Sequence, residues 1–304
     1  VTRPSPRSDA GTGAHTAGQP LPGTKQSVPD LEEQVAYQRA FEAMVWAIPA
    51  MAIHRFRQGL YDIPGVEDNV VIAFSGTLKA RHEVITANTA VPYISAFLDL
   101  RKGPTVVDVP AATDKASLYG QVVDAWQVTI AGVGPSGPDK GAGGKYLFLP
   151  PGYEGAIPEG YFPIRSTSFR LALAFRSVPG KGATQADAYA YTETLQVYPL
   201  AEAGNPQPTR FVDGLPLSIQ TLPYYDIRAL QDIHDFVDVE PVQERDKVMV
   251  GMLATIGIEK GKPFNPPPKL RAAMERGVVD AYHYMQALTL KFLQENLWWP
   301  DRHW

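Results

Sequence analysis

Cysteine is absent from the 304 residues. Its absence excludes disulfides, thiolate nucleophiles and cysteine-ligated metals. A basic excess is also missing: 28 Lys and Arg face 32 Asp and Glu, for a formal charge of -4. Little is therefore available to neutralise a phosphate backbone, and nucleic acid is not an expected partner. No apolar run approaches the roughly 18 to 20 residues that cross a bilayer, so no transmembrane segment is expected. The six His, at 15, 54, 82, 234, 283 and 303, include no His-x-His or His-x-x-x-His pair, and neither a metal nor a cofactor is expected.

Two catalytic signatures are missing as well. The loop Gly137-Pro-Asp-Lys-Gly-Ala-Gly-Gly-Lys145 looks like a phosphate cradle, but Asp139 stands where a P-loop needs Gly, and Tyr146 where it needs Ser or Thr. No Gly-x-Ser-x-Gly elbow occurs. His82-Glu83 and His234-Asp235 read as solvated or capping residues rather than ligands.

What is present is 44% apolar content, ample for a large core. Residues 1–28, rich in Pro, Gly, Ser and Thr, read as a disordered tail. A helical segment follows over residues 29–68, with Asp30-Leu-Glu-Glu33 as a capping box and an apolar stripe of Leu31, Tyr37, Phe41, Met44, Ile48 and Met51. Pro49 should kink or split this helix. Residues 69–200 read as a β-rich core, with strands over 69–74, 91–98, 105–109, 117–130, 146–149 and 161–176, and with six Gly and two Pro in the thirteen residues from Gly132 to Gly144 marking a loop. Residues 201–304 read as a helical connector. Within it the stripe through Leu270, Met274, Gly277, Ala281 and Phe292 marks the clearest helix, introduced by Pro266-Pro-Pro268. Strands joined by turns suggest an antiparallel sandwich or barrel, and the fold class expected is α+β.

Strand parity supplies one candidate polar site. If 117–130 is one strand, Asp124 shares the apolar face of Leu118, Val122 and Trp126; if 161–176 is one strand, Arg165 shares the face of Leu171 and Phe175. Buried alone, each charge is costly, so the two are expected to pair. Asn88, Tyr93 and Trp126 are candidates for lining the same pocket.

Several segments, in order, carry a resemblance: Thr86 to Tyr93, Leu98 to Pro104, Asp124-Ala-Trp126, Gly143-Gly-Lys-Tyr146, Leu149-Pro-Pro-Gly-Tyr153 and Ile164-Arg-Ser166. In these the chain resembles the bacterial domain-of-unknown-function family 1254. Gly251 to Phe264 and Trp298-Trp-Pro-Asp-Arg302 resemble the lead-in to its usual partner, family 1214. After Asn88 many members continue Asp-Thr-Leu-Tyr, and this chain departs with Thr-Ala-Val-Pro-Tyr93. The resemblance implies a β-core with helices, export to the periplasm or beyond, and no agreed reaction.

It also implies a further β-domain past Trp304, to cover Trp298, Trp299 and Trp304; a second copy of the chain is the alternative cover. Two functions are expected: binding of a small polar or saccharide-like ligand between two β-domains, or a hydrolase or lyase using Asp124 and Arg165.

Overall fold

The computed structural model describes residues 27–84 and 90–295. The expected tail, Asn88 and the Trp cluster at the C-terminal end lie outside the described residues, apart from the tail's last two positions at the start of the first helix.

That helix, α1 (Val28–Tyr61), begins earlier than the sequence pattern suggests. Its capping box is Ser27 with Asp30: the Ser27 side chain meets the Asp30 N–H and Asp30 reaches back to the Ser27 N–H, with Pro29 in the first turn. The helix runs unsplit through Pro49. A stripe of small residues, Ala36, Ala40, Ala43, Ala47 and Ala50, is buried along its first half.

This stripe lets α5 (Pro268–Glu295) pack close beside it. A Cβ on Gly277 would stand 2.4 Å from the Tyr37 carbonyl, and the Tyr37 hydroxyl donates to Asp280 at 2.7 Å. Helices α3 (Ile227–Val239) and α4 (Lys247–Ala254) complete this helical core. Lys269 at the start of α5 pairs with Glu33, Tyr284 packs against Phe41, and nearer its end Leu288 and Leu290 are exposed.

Among the described residues, twelve strands occupy the middle of the chain. They are β1 (Val71–Ala73), β2 (His82–Glu83), β3 (Tyr93–Asp99), β4 (Thr105–Val109), β5 (Ala116–Val123), β6 (Thr129–Val133), β7 (Gly144–Leu149), β8 (Tyr161–Arg165), β9 (Arg170–Pro179), β10 (Gln196–Pro199), β11 (Phe211–Asp213) and β12 (Ile219–Gln220). A short helix, α2 (Gln185–Thr192), links β9 to β10. The strands form a six-stranded sheet in the order β11-β1-β3-β9-β5-β6, a four-stranded sheet β10-β4-β7-β8 and the small pair β12-β2.

The fold is α+β, and no sheet closes into a barrel among the described residues. Pairing is mixed rather than antiparallel throughout, since β1–β11, β7–β8 and β2–β12 run parallel. Two of those partners, β11 and β12, come from the stretch expected to be a helical connector.

Alternation along the strands sorts the layers. Ile94, Ala96 and Leu98 of β3 and Leu171, Leu173 and Phe175 of β9 meet Val107, Tyr146 and Phe148 of the four-stranded sheet in one core. The opposite face of β3, with Phe97, packs under the second half of α1 and its continuation, Leu60 and Ile63. Helix α1 thus spans both cores, joining the helical cluster through its first half and roofing the six-stranded sheet with its second. Among the described residues, no helix is long and apolar enough to cross a membrane.

Candidate functional site

Roof and sheet do not meet everywhere. Between them lies a cleft of about 200 Å³. Helix α1 supplies Ala52, Ile53, Phe56 and Leu60; the β1–β2 segment supplies Phe74 and Leu78; β3 supplies Tyr93 and Ser95; and β12 with the residue after it supplies Ile219 and Thr221. Val84, Gln127 and Ala174 complete the lining.

The space follows from side-chain size. Ser95 and Ala174 face each other in the β3–β9 ladder, and Ala52 stands on the helix above, so three short side chains occupy places where a Leu or Phe would fill the layer. Ala174 and Gln127 are exposed and mark the mouth. The interior is buried: Ser95 is 3% exposed, Ile219 1% and Leu60 1%.

The lining is mostly apolar, and among the described residues none that lines it is charged. Of its polar groups, Thr221 Oγ1 already donates to the Glu83 carbonyl at 2.8 Å. The Tyr93 ring carries the Arg176 guanidinium on its face, 4.1 Å from the ring centre. Three aromatic rings, Phe56, Phe74 and Tyr93, border the space. Phe74 is itself held edge-on to His82. That histidine is buried, not solvated as its sequence context suggests: Nδ1 accepts the Lys79 N–H at 2.8 Å, and Nε2 faces the Gly214 and Leu215 carbonyls at 3.2 Å.

Of the residues the sequence nominates, only Tyr93 lines the cleft. Asn88 lies outside the described residues. The expected Asp124–Arg165 pair does not form, and both parity readings fail for one reason: each presumed strand is two. Residues 117–130 divide into β5 and β6, with an irregular register between Val122 and Val123. Asp124 sits in the turn, where its carboxylate accepts the N–H groups of Trp126 and Val128 at 2.8 and 2.9 Å.

Residues 161–176 likewise divide, into β8 and β9, which belong to different sheets. Arg165, at the end of β8, is exposed and donates to the Tyr153 carbonyl at 2.8 Å. Trp126 is wedged edge-on between Trp46 and Phe236, with ring centres 4.9 Å away on both sides. It is a packing residue that locks the β5–β6 turn to α1 and α3. Asp124 nonetheless serves the cleft indirectly, because its turn holds Gln127 at φ 65° and presents it at the mouth.

A second, polar cluster includes the intervening α1 residues His54 and Arg57. His54, Arg57, Arg170 and Glu240 border a void of about 10 Å³, room for a single water. Glu240, 3% exposed, accepts the backbone N–H groups of Phe169 and Arg170 at 2.6 and 3.2 Å. Burial pushes its carboxyl up to about 7 despite those donors and the nearby Arg170. Asp232 pairs with His54 at 3.6 Å, while Asp68 gathers Arg57, Tyr61 and Lys102. Glu240 and Asp68 are tied to neighbouring groups, while Arg57 Nε, Arg170 Nε and Asp232 Oδ2 are buried without a hydrogen-bond partner among the described residues; the cluster reads as a polar joint between helix and sheet.

The sequence of residues 69–199 matches the family described as protein of unknown function (DUF1254). Among solved structures, the chain is similar to the crystal structure of the VPA0106 protein from Vibrio parahaemolyticus, at 17% identity and a TM-score of 0.58. The likeness covers 86% of this chain and 60% of that one, and at this identity it speaks to fold. No curated protein matches the chain in sequence.

Proposed function

We propose that this chain binds a small, largely apolar molecule in the cleft between α1 and the six-stranded sheet. One observation carries the reading: a cleft of about 200 Å³ lined by Phe56, Phe74, Ile53, Leu60 and Ile219 and, among the described residues, by no charged group. Concave, mostly apolar spaces with a few polar groups are where proteins take small ligands.

The same lining argues for an apolar body over a saccharide, because sugar hydroxyls set against Ile53, Phe56 and Ile219 would lose water without gaining partners. A hydrolase or lyase built on Asp124 and Arg165 has less support, since each of the two is committed to backbone groups of its own turn. Resemblance alone supports the remaining parts of the proposal, a periplasmic or secreted location and a following β-rich domain of family 1214. Cell fractionation and intact mass of the native protein test those parts.

Binding is tested by thermal unfolding in the presence of naphthalene or indole. A ligand that binds only the folded chain at one hundred times its Kd adds about 2.7 kcal/mol. The melting temperature should therefore rise, and the rise should vanish in Ala174→Phe, which fills the mouth. Equal melting temperatures with and without either compound contradict the proposal.

A further inference from the structure

The cleft wall contains one hydroxyl with no hydrogen-bond partner among the described residues. Ser95 is 3% exposed and stands at the middle of the central strand β3, where its neighbours Ile94, Ala96, Phe97 and Leu98 are all apolar. Its backbone is engaged in the ladders with Ile72 and Ala174. Among the described residues its hydroxyl makes no hydrogen bond, although it lies in the cleft wall.

The Ser95 hydroxyl opens onto the cleft, where a guest can reach it, and an Ala there would fit the sheet equally well. The other interior hydroxyl is spoken for, because Thr221 donates to Glu83. Arg176, whose Nη1 is buried without a hydrogen-bond partner among the described residues, lies on the face of Tyr93 and is not a lining group.

Resting on the proposal that the cleft binds apolar molecules, we infer that Ser95 selects the ligand, which is a neutral, compact ring compound carrying one hydroxyl or carbonyl directed at the Ser95 hydroxyl. The volume bounds the size. A cavity of about 150 Å³ lined by Leu, Ile and Phe holds benzene, and the cleft here, at about 200 Å³, has room for one substituted ring. Phe56, Phe74 and Tyr93 offer ring edges and faces to an aromatic guest. A carboxylate is disfavoured, since a charge leaving water would meet no counter-charge in the lining. An apolar wall that contains a single uncommitted hydroxyl discriminates by that hydroxyl, because a guest without a matching group leaves it unpaired.

The test compares toluene, 4-methylphenol and benzoate on the full chain, by calorimetry at pH 7, for the wild type and for Ser95→Ala, with melting curves establishing that the variant is folded. The expected result is that Ser95→Ala weakens 4-methylphenol by roughly tenfold, the weight of one hydrogen bond, and leaves toluene unchanged, while benzoate fails to bind. Equal weakening of toluene and 4-methylphenol, or none of either, overturns Ser95 as the selector while leaving the cleft as a binding site. Benzoate binding tighter than 4-methylphenol overturns the neutrality of the ligand. Failure of all three to bind the wild type overturns the cleft reading itself.

Discussion

The Glu240 carboxylate, just past the end of α3, accepts the backbone N–H of Phe169 at 2.6 Å, across 71 residues of sequence. The same carboxylate takes the Arg170 N–H, so one side chain fastens the helical core to the first residues of β9. Without this partner the N–H groups at the break between β8 and β9 would lose an acceptor in a buried setting.

This joint predicts a pH dependence of stability. Burial raises the Glu240 carboxyl from its ordinary 4.5 to about 7. In the unfolded chain it therefore ionises near 4.5, and in the folded chain near 7. Between those values the folded chain holds more protons, so stability falls as pH rises. The contribution present below about pH 4.5 is lost by about pH 7, and it is on the order of 3 kcal/mol. Urea unfolding at pH 5 and pH 8 should show a steeper loss in the wild type than in Glu240→Gln; parallel losses would rule out Glu240 as the source.

Asp124 and Arg165 act independently. Asp124→Ala removes an acceptor from the Trp126 and Val128 N–H groups and is expected to cost about 1.5 to 3 kcal/mol. Arg165→Ala, at an exposed position, should stay within about 0.5 kcal/mol. In the double variant the two losses should add, and a coupling above about 1 kcal/mol in the denaturant cycle would show contact between the two.

Gly59→Ala sets two effects against each other. Replacing a helical Gly by Ala is worth up to about 1 kcal/mol. The new Cβ, however, would stand 1.9 Å from the Gln220 carbonyl oxygen of β12, closer than any non-bonded contact. Overpacking of this kind costs about 1 to 3 kcal/mol, so a net loss in melting temperature is expected, and a gain would mean that β12 yields easily.

What could be read from the chain was mostly local. The helices α1 and α5, the whole of β4 and the α+β class follow from periodicity and breakers, although Leu31 and Phe292, placed on the helical stripes, are exposed. The errors lie where the period of two continues across a break: nothing in the pattern Arg165-Ser-Thr-Ser-Phe169 announces that the chain changes sheets, and parity beyond that point loses its meaning. Asp124 carried a usable signal, since Asp opening a short loop commonly accepts the N–H groups that follow.

The cleft was not legible. Its walls come from residues 52–60, 74–84, 93–95, 127, 174 and 219–221, and only the fold unites them. Of its lining only Tyr93 was nominated from the sequence, and Ser95 shows there as a polar residue within the buried run of β3. The parallel partners β11 and β12 were equally hidden, being two or three residues long and paired with strands more than a hundred residues earlier.

The most direct test of the central claim is a crystal of this chain soaked with 4-bromophenol and measured at the bromine absorption edge. The account predicts one anomalous peak inside the cleft, between Phe56 and Phe74, with the phenol oxygen toward Ser95. A peak elsewhere on the molecule, or no peak at a concentration where calorimetry shows binding, would contradict it.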